Sequence, residues 1–252
     1  MQLIKTTMMK RYLIKFGIRI LVFLSIFSLY LFDKDYLWHL VTSPITHGIT
    51  PMYLVWFGFM LMMFYHIFPK EPFTMALLKS ERDKYHEVPE YNEIGLFQFV
   101  KYMNQQAWLV MLIWLLFNAI FGLLFAFEFI EEADLYMLTV FYFLCDYICI
   151  LIYCPFQSHI MKNKCCVNCR IYDWGHFMMF TPMVFIRNFY TWSLFFMSCI
   201  VLIRWELIYA KFPERFWSGS NKNLQCANCQ DKTCQIKNNL KAGALKATNK
   251  RM

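Results

Sequence analysis

The chain has 252 residues, 59% of them hydrophobic and 17% charged, with a mean hydropathy of +0.37 and a formal charge of +8. Soluble domains are less apolar and more charged, so a soluble globular fold is excluded as the first reading. Nucleic acid is excluded as a partner because no nucleic-acid-binding motif accompanies the charge and the aromatics, 20% of the chain, sit inside apolar runs.

The first run, Phe16 to Phe32, follows Lys5, Lys10, Arg11 and Lys15. A cleaved leader needs small residues at its end. Here the run ends Ser28-Leu29-Tyr30-Leu31-Phe32-Asp33, which predicts an uncleaved spanning helix in which Arg19 snorkels to the surface. A loop with Pro44, His47 and Gly48 leads to a second span over Pro51 to Phe68. Lys70 to Gln106 is a polar connection, within which Ile94, Phe97, Val100 and Met103 recur at helical spacing and predict an interfacial helix. A third span runs from Ala107 to about Phe127. An acidic turn with Glu128, Glu131, Glu132 and Asp134 follows, and a fourth span covers Leu135 to about Tyr153.

Phe177 to Tyr209 is too long for one crossing and too short for two of ordinary length. It is read either as an interfacial stretch plus a fifth span or as a re-entrant hairpin. Nine of the 25 Lys and Arg lie beyond Ala210, which favours a hairpin that returns the tail to the basic side. With the N-terminus cytoplasmic, the inner segments hold Lys5, Lys10, Arg11, Lys15 and Arg19, then Lys70, Lys79, Arg82, Lys84 and Lys101, then Lys162, Lys164 and Arg170. The outer loops hold only Lys34. The expected fold is therefore all-α: a polytopic transmembrane bundle of four spans plus a re-entrant hairpin or fifth span, bearing a cytoplasmic Cys-rich metal-binding loop and tail. Its parts are a bundle over 1–155 with a cytoplasmic connection at 69–106, a Cys-rich loop at 156–176, a membrane hairpin or fifth span at 177–210 and a basic tail at 211–252.

Six of the ten cysteines carry the functional reading. Cys165, Cys166 and Cys169 lie in the loop, and Cys226, Cys229 and Cys234 in the tail. A Cys-x-x-Cys turn aims two sulfurs at one ion, and two such turns complete a tetrahedral set. Cys166, Cys169, Cys226 and Cys229 make the best four, with His176 as the substitute ligand. The basic residues Lys164, Arg170 and Lys232 are expected to favour thiolates. A zinc ion or an iron–sulfur cluster would be held there, and a reversible dithiol is a further alternative. Cys145, Cys149, Cys154 and Cys199 are read as packing residues. His66, His159 and His176 are expected together at the inner edge, where a pair could ligate haem or another metal, with His39 and His47 on the outer side.

Asp146 lies mid-span, where an ionisable group is costly and functional by default. It is expected to pair with Arg187 or Arg204. Three functions follow: a membrane scaffold whose metal clamps tail to loop; an electron-transfer component with an iron–sulfur cluster, working in a membrane complex or with a redox partner; and a transporter that uses Asp146. Beyond these partners, only the lipid bilayer is implied.

Overall fold

The computed structural model describes residues 6–43, 50–69, 73–163 and 165–239. His47, Lys164 and the last four basic residues of the tail lie outside them. Among the described residues all regular structure is helical, apart from one isolated antiparallel bridge between Glu87 and Asn221.

Helix α1 spans Thr7–Phe32 and starts where the Thr6 side chain accepts the Met9 N–H, which satisfies one of the orphan donors of a helix start. It turns at Asp33 into α2, Lys34–Thr42. Helix α3 spans Pro51–Ile67, with proline in its first turn, and α4 is one turn over Met75–Leu78. Helix α5 spans Glu93–Ala126 and α6 spans Glu132–Leu151. A capping box, in which Glu131 and Asp134 serve each other's backbone N–H, nucleates α6.

Among the described residues four helices are long and apolar enough to cross a membrane: α1, α5, α6 and the later Phe189–Lys211. The expected set of spans is corrected in two places. The second run gives a helix of only 17 residues. The expected interfacial helix and third span are one continuous helix, α5, of 34 residues. At 1.5 Å per residue it is about 51 Å long, beyond the roughly 30 Å of a hydrocarbon core. Its amino-terminal part therefore projects past the bundle, where Phe99 stacks on Trp217.

The segment over 177–209 folds as an unequal hairpin. The outgoing limb is α7, Gly175–Phe180, followed by a tight helical turn at Thr181–Phe185. It begins beside the Asp146 carboxylate and ends where the Asn188 amide donates to the Tyr136 hydroxyl. The returning limb is α8, Phe189–Lys211, a full-length helix rather than the short limb expected. The outgoing limb can be short and irregular because protein surrounds it: Phe177, Met179, Phe180, Thr181, Pro182 and Met183 are all buried. The ring of Phe185 fills the space that a Cβ at Gly122 would need, so only glycine lets α5 approach here. Arg187 stands exposed at the apex of the hairpin, which removes the cost its position suggested.

Two apolar cores result. One gathers Met63, Leu135, Tyr142, Phe180, Leu194 and Val201 within the bundle. The other gathers Val110, Met161, Trp174, Trp205, Tyr209 and Phe216 towards one end. Outside them Leu21, Leu54, Phe57, Ile120, Phe196 and Leu207 each expose more than half their surface. Such an apolar exterior is consistent with lipid contact.

Asp146 pairs with neither expected arginine. It accepts from Arg19 at 2.7 Å, and the same guanidinium reaches the Phe143 carbonyl and stacks over the Phe143 and Tyr147 rings. Arg19 therefore does not snorkel, because α1 packs against α6 at a depth where a carboxylate waits. Arg204 is held instead by Glu81 at 2.8 Å.

Candidate metal centre and cysteine-rich cap

Three segments build a cap on one end of the bundle: residues 73–92, the loop at 154–174 and the tail at 212–239. The tail pairs with the first segment through its backbone. Val88 N–H donates to the Ser220 carbonyl and Lys222 N–H to the His86 carbonyl. Arg215 donates to the Ser80 carbonyl at 3.1 Å, and Leu224 packs against Ala76 and Val167.

The loop is anchored to α8. Arg170 grips Glu206 with both terminal nitrogens, lies over the Tyr209 ring and offers its carbonyl to Trp205 Nε1 at 2.7 Å. Arg170 is thus committed to Glu206 and does not serve the thiols as expected. Burial instead pushes the Cys165, Cys166, Cys169, Cys229 and Cys234 thiols up. The lysines that act on the loop sulfurs are Lys79 and Lys237.

All ten cysteines are free thiols. Among the described residues no group of three or more His, Cys, Asp or Glu is drawn together as a metal-binding set. The six expected ligands divide between two neighbourhoods. Cys165 acts electrostatically on Cys229 and Cys234, and Cys226 and Cys229 also act on Cys234. Cys166 turns the other way. Its sulfur lies near the Ile150 carbonyl and Gln157 Oε1 and 3.1 Å from the Lys237 ammonium, while Cys169 is buried beside it. Cys154 belongs to this second neighbourhood.

The backbone N–H groups two and three residues ahead, of Val167 and Asn168 in the loop and of Asp231 and Lys232 in the tail, pull the Cys165 and Cys229 thiols down against the larger effect of burial. Lys232 has a φ of 46°, which folds the tail tightly here.

Of the three histidines expected together, only His66 and His176 meet, with ring centroids 4.5 Å apart. His66 Nδ1 is bonded to the buried Asp173 carboxylate at 2.7 Å, and His176 Nδ1 is buried without a hydrogen-bond partner. His159 turns outward to the Tyr153 hydroxyl. Asp173 and Lys79 are the residues that sequence reasoning missed. A polar residue flanked by ordinary loop sequence gives no periodic signal, and only the fold shows that both are buried.

Lys79 is 1% exposed and donates to the Val167 and Cys169 carbonyls, each at 2.7 Å. Burial pushes its ammonium down from 10.5 to about 8. Above that value the unfolded chain holds a proton that the folded chain has released, so stability rises with pH. Burial pushes the neighbouring Cys169 thiol up from 9.0 to about 12. Above pH 9 the folded chain keeps a proton that the unfolded chain loses, and the two slopes oppose. Denaturant titration should therefore show a Lys79 contribution of about 1 kcal/mol gained between pH 8 and 9, read as the difference from Lys79→Met because the raised thiols oppose it in both proteins. The Lys79→Met variant should lack that gain, and a gain that persists in it would belong to other groups.

Comparisons with protein-family models, with curated proteins and with solved structures found no match.

Proposed function

We propose that this chain is an integral membrane scaffold protein in which a thiolate-bound metal ion, zinc in the first instance, clamps the tail to the loop on the cytoplasmic face. The ligand set is Cys165, Cys226, Cys229 and Cys234 rather than the four suggested by spacing. The observation that carries this reading is that Cys165 of the loop and Cys229 of the tail, distant in the chain, pack against the same small core of Ala76, Val167 and Leu224. Zinc prefers four such ligands in a tetrahedron. Cys226 is exposed and Cys234 partly so, and Cys165, Cys226 and Cys229 all act electrostatically on Cys234. Cys166 is a poor ligand here, because a lysine ammonium already occupies its sulfur. The excess of Lys and Arg on the side of the cap supports its cytoplasmic orientation.

Element-resolved metal analysis of the purified protein tests this. About one zinc per chain is expected, with loss of the metal and faster proteolysis of the tail in Cys226→Ser/Cys229→Ser, because metal binding energy is folding energy. Iron with acid-labile sulfide would replace zinc by the electron-transfer alternative. Neither metal, or an unchanged protease pattern in the variant, would overturn the clamp. A membrane-impermeant maleimide that labels Cys226 only from the outer side would overturn the orientation.

A further inference from the structure

The second thiol neighbourhood opens into a cavity. A space of about 590 Å³ lies between α5, α6 and the loop, and five thiols line it: Cys145, Cys149, Cys154, Cys166 and Cys169. The rest of its wall is dominated by apolar and aromatic side chains, with Trp114, Phe117, Phe141 and Phe156 presenting ring surfaces. Half the cysteines of the chain thus face one apolar space large enough for a ring compound.

Two of these thiols sit together. Cys149, in the last turns of α6, and Cys154, just past its end, act directly on one another. The Cys154 sulfur also accepts the backbone N–H of Gln157, three residues ahead, at 3.4 Å. Lys237 completes the setting. It is 9% exposed, and its ammonium donates to the Cys149 carbonyl and Gln157 Oε1, each at 2.7 Å. A backbone N–H therefore meets the Cys154 sulfur at the rim of an apolar cavity, with Cys149 and the Lys237 ammonium, itself 3.1 Å from the Cys166 sulfur, close enough to act on it.

From this geometry we infer that the cavity binds a lipid-soluble quinone and that Cys149 and Cys154 form the dithiol that exchanges electrons with it. Water-soluble oxidants have little reason to enter such walls, whereas a flat apolar ring is matched by the aromatic surfaces. In the forward direction the Cys154 thiolate adds to the quinone ring. Cys149 then gives up its proton and attacks the Cys154 sulfur, forming the S–S bond and expelling the quinol dianion equivalent. The proton from Cys149 and one from solvent complete the quinol. Two thiol groups are oxidised to one disulfide, and one quinone is reduced by two electrons. The reaction is reversible by the same atoms.

The Cys154 thiol is pulled down, chiefly by Cys149 and further by backbone N–H groups and Lys237. This favours the thiolate, the form that attacks.

This inference rests on the membrane reading above and not on the metal. The full-length protein, reduced and purified in detergent, is mixed anaerobically with decylubiquinone, and thiols, disulfides and quinol are followed together. Stoichiometric quinol and a disulfide mapped to Cys149 and Cys154 are expected. The rate should fall about tenfold per pH unit on the acid side of the Cys154 titration, following the thiolate fraction. In Cys154→Ser, quinol formation should drop at least about a hundredfold, since a hydroxyl is not ionised at this pH. Cys199→Ser, which lies outside the cavity, should leave it unchanged. Lys237→Met should move the pH profile to higher pH, which loss of packing alone would not do. No quinol from the wild type, a disulfide elsewhere such as Cys226 to Cys229, or full activity in Cys154→Ser would each overturn the inference. Metal content read on the same samples, and extraction of the native protein from membranes by alkaline carbonate, show separately whether the clamp or the membrane reading has failed.

Discussion

Asp146→Leu alone should destabilise the folded protein by about 3–5 kcal/mol, and Arg19→Leu alone should cost a similar amount. Each substitution leaves the opposite charge in an apolar setting without its partner. The Arg19 side chain is 11% exposed, and among the described residues its only carboxylate partner is 2.7 Å away on α6. The double variant Arg19→Leu/Asp146→Leu should recover most of the loss. A matched apolar pair can equal or exceed a buried ion pair, because neither charge then has to leave water. Thermal unfolding in detergent measures all three. Additive losses in the double variant would show that the two charges are not coupled. The cycle also bears on the transporter alternative, since Asp146 is tied to a fixed partner and makes a structural contribution that any transport assay on Asp146→Asn must be compared against. Full transport by that variant would reject the alternative.

Helices were legible where composition decides them. The apolar runs, the capping residues and the acidic turn before α6 mark local structure directly, because each depends only on neighbours in the chain. Depth and partner were not legible. Arg19 was assigned to the surface because nothing in α1 shows that Asp146, on another helix, stands at its level. Pairing of Asp146 with Arg187 or Arg204 was plausible by distance from the helix ends, yet the hairpin carries Arg187 to its apex and Arg204 to Glu81. The cysteine motifs were legible as motifs, but not the way they are shared out. Adjacent residues on a turn point to opposite sides, so Cys165 and Cys166 enter different neighbourhoods. Cys149 and Cys154 read as packing residues because a thiol in an apolar run has no distinctive spacing. Their setting depends on Lys237, a tail residue that only the fold brings to the Cys149 carbonyl.

Trp205→Ala should cost about 3–5 kcal/mol, and it should release the loop from α8. Trp205 is fully buried in α8, and its indole joins three elements. Its N–H satisfies the Arg170 carbonyl of the loop at 2.7 Å. Its ring meets Phe216 of the tail edge-on with centroids 5.1 Å apart. The Lys79 ammonium, which holds the loop carbonyls, lies 5.3 Å from its centroid. Removing the indole therefore leaves a cavity and an unpartnered carbonyl at once. Trp205→Phe separates the two effects. It keeps most of the ring and drops the N–H, so about 1–3 kcal/mol should be lost for the carbonyl alone. Alkylation of Cys166 and Cys169 reports the structural consequence. Both are buried in the native cap, and both should react faster in Trp205→Ala than in Trp205→Phe. Equal protection in the two variants would mean that Lys79 and the Arg170–Glu206 pair hold the loop without the indole. A large loss of stability with no gain in labelling would place the effect of Trp205 in the bundle rather than in the cap, because the same residue packs in the core of Val110, Met161 and Trp174.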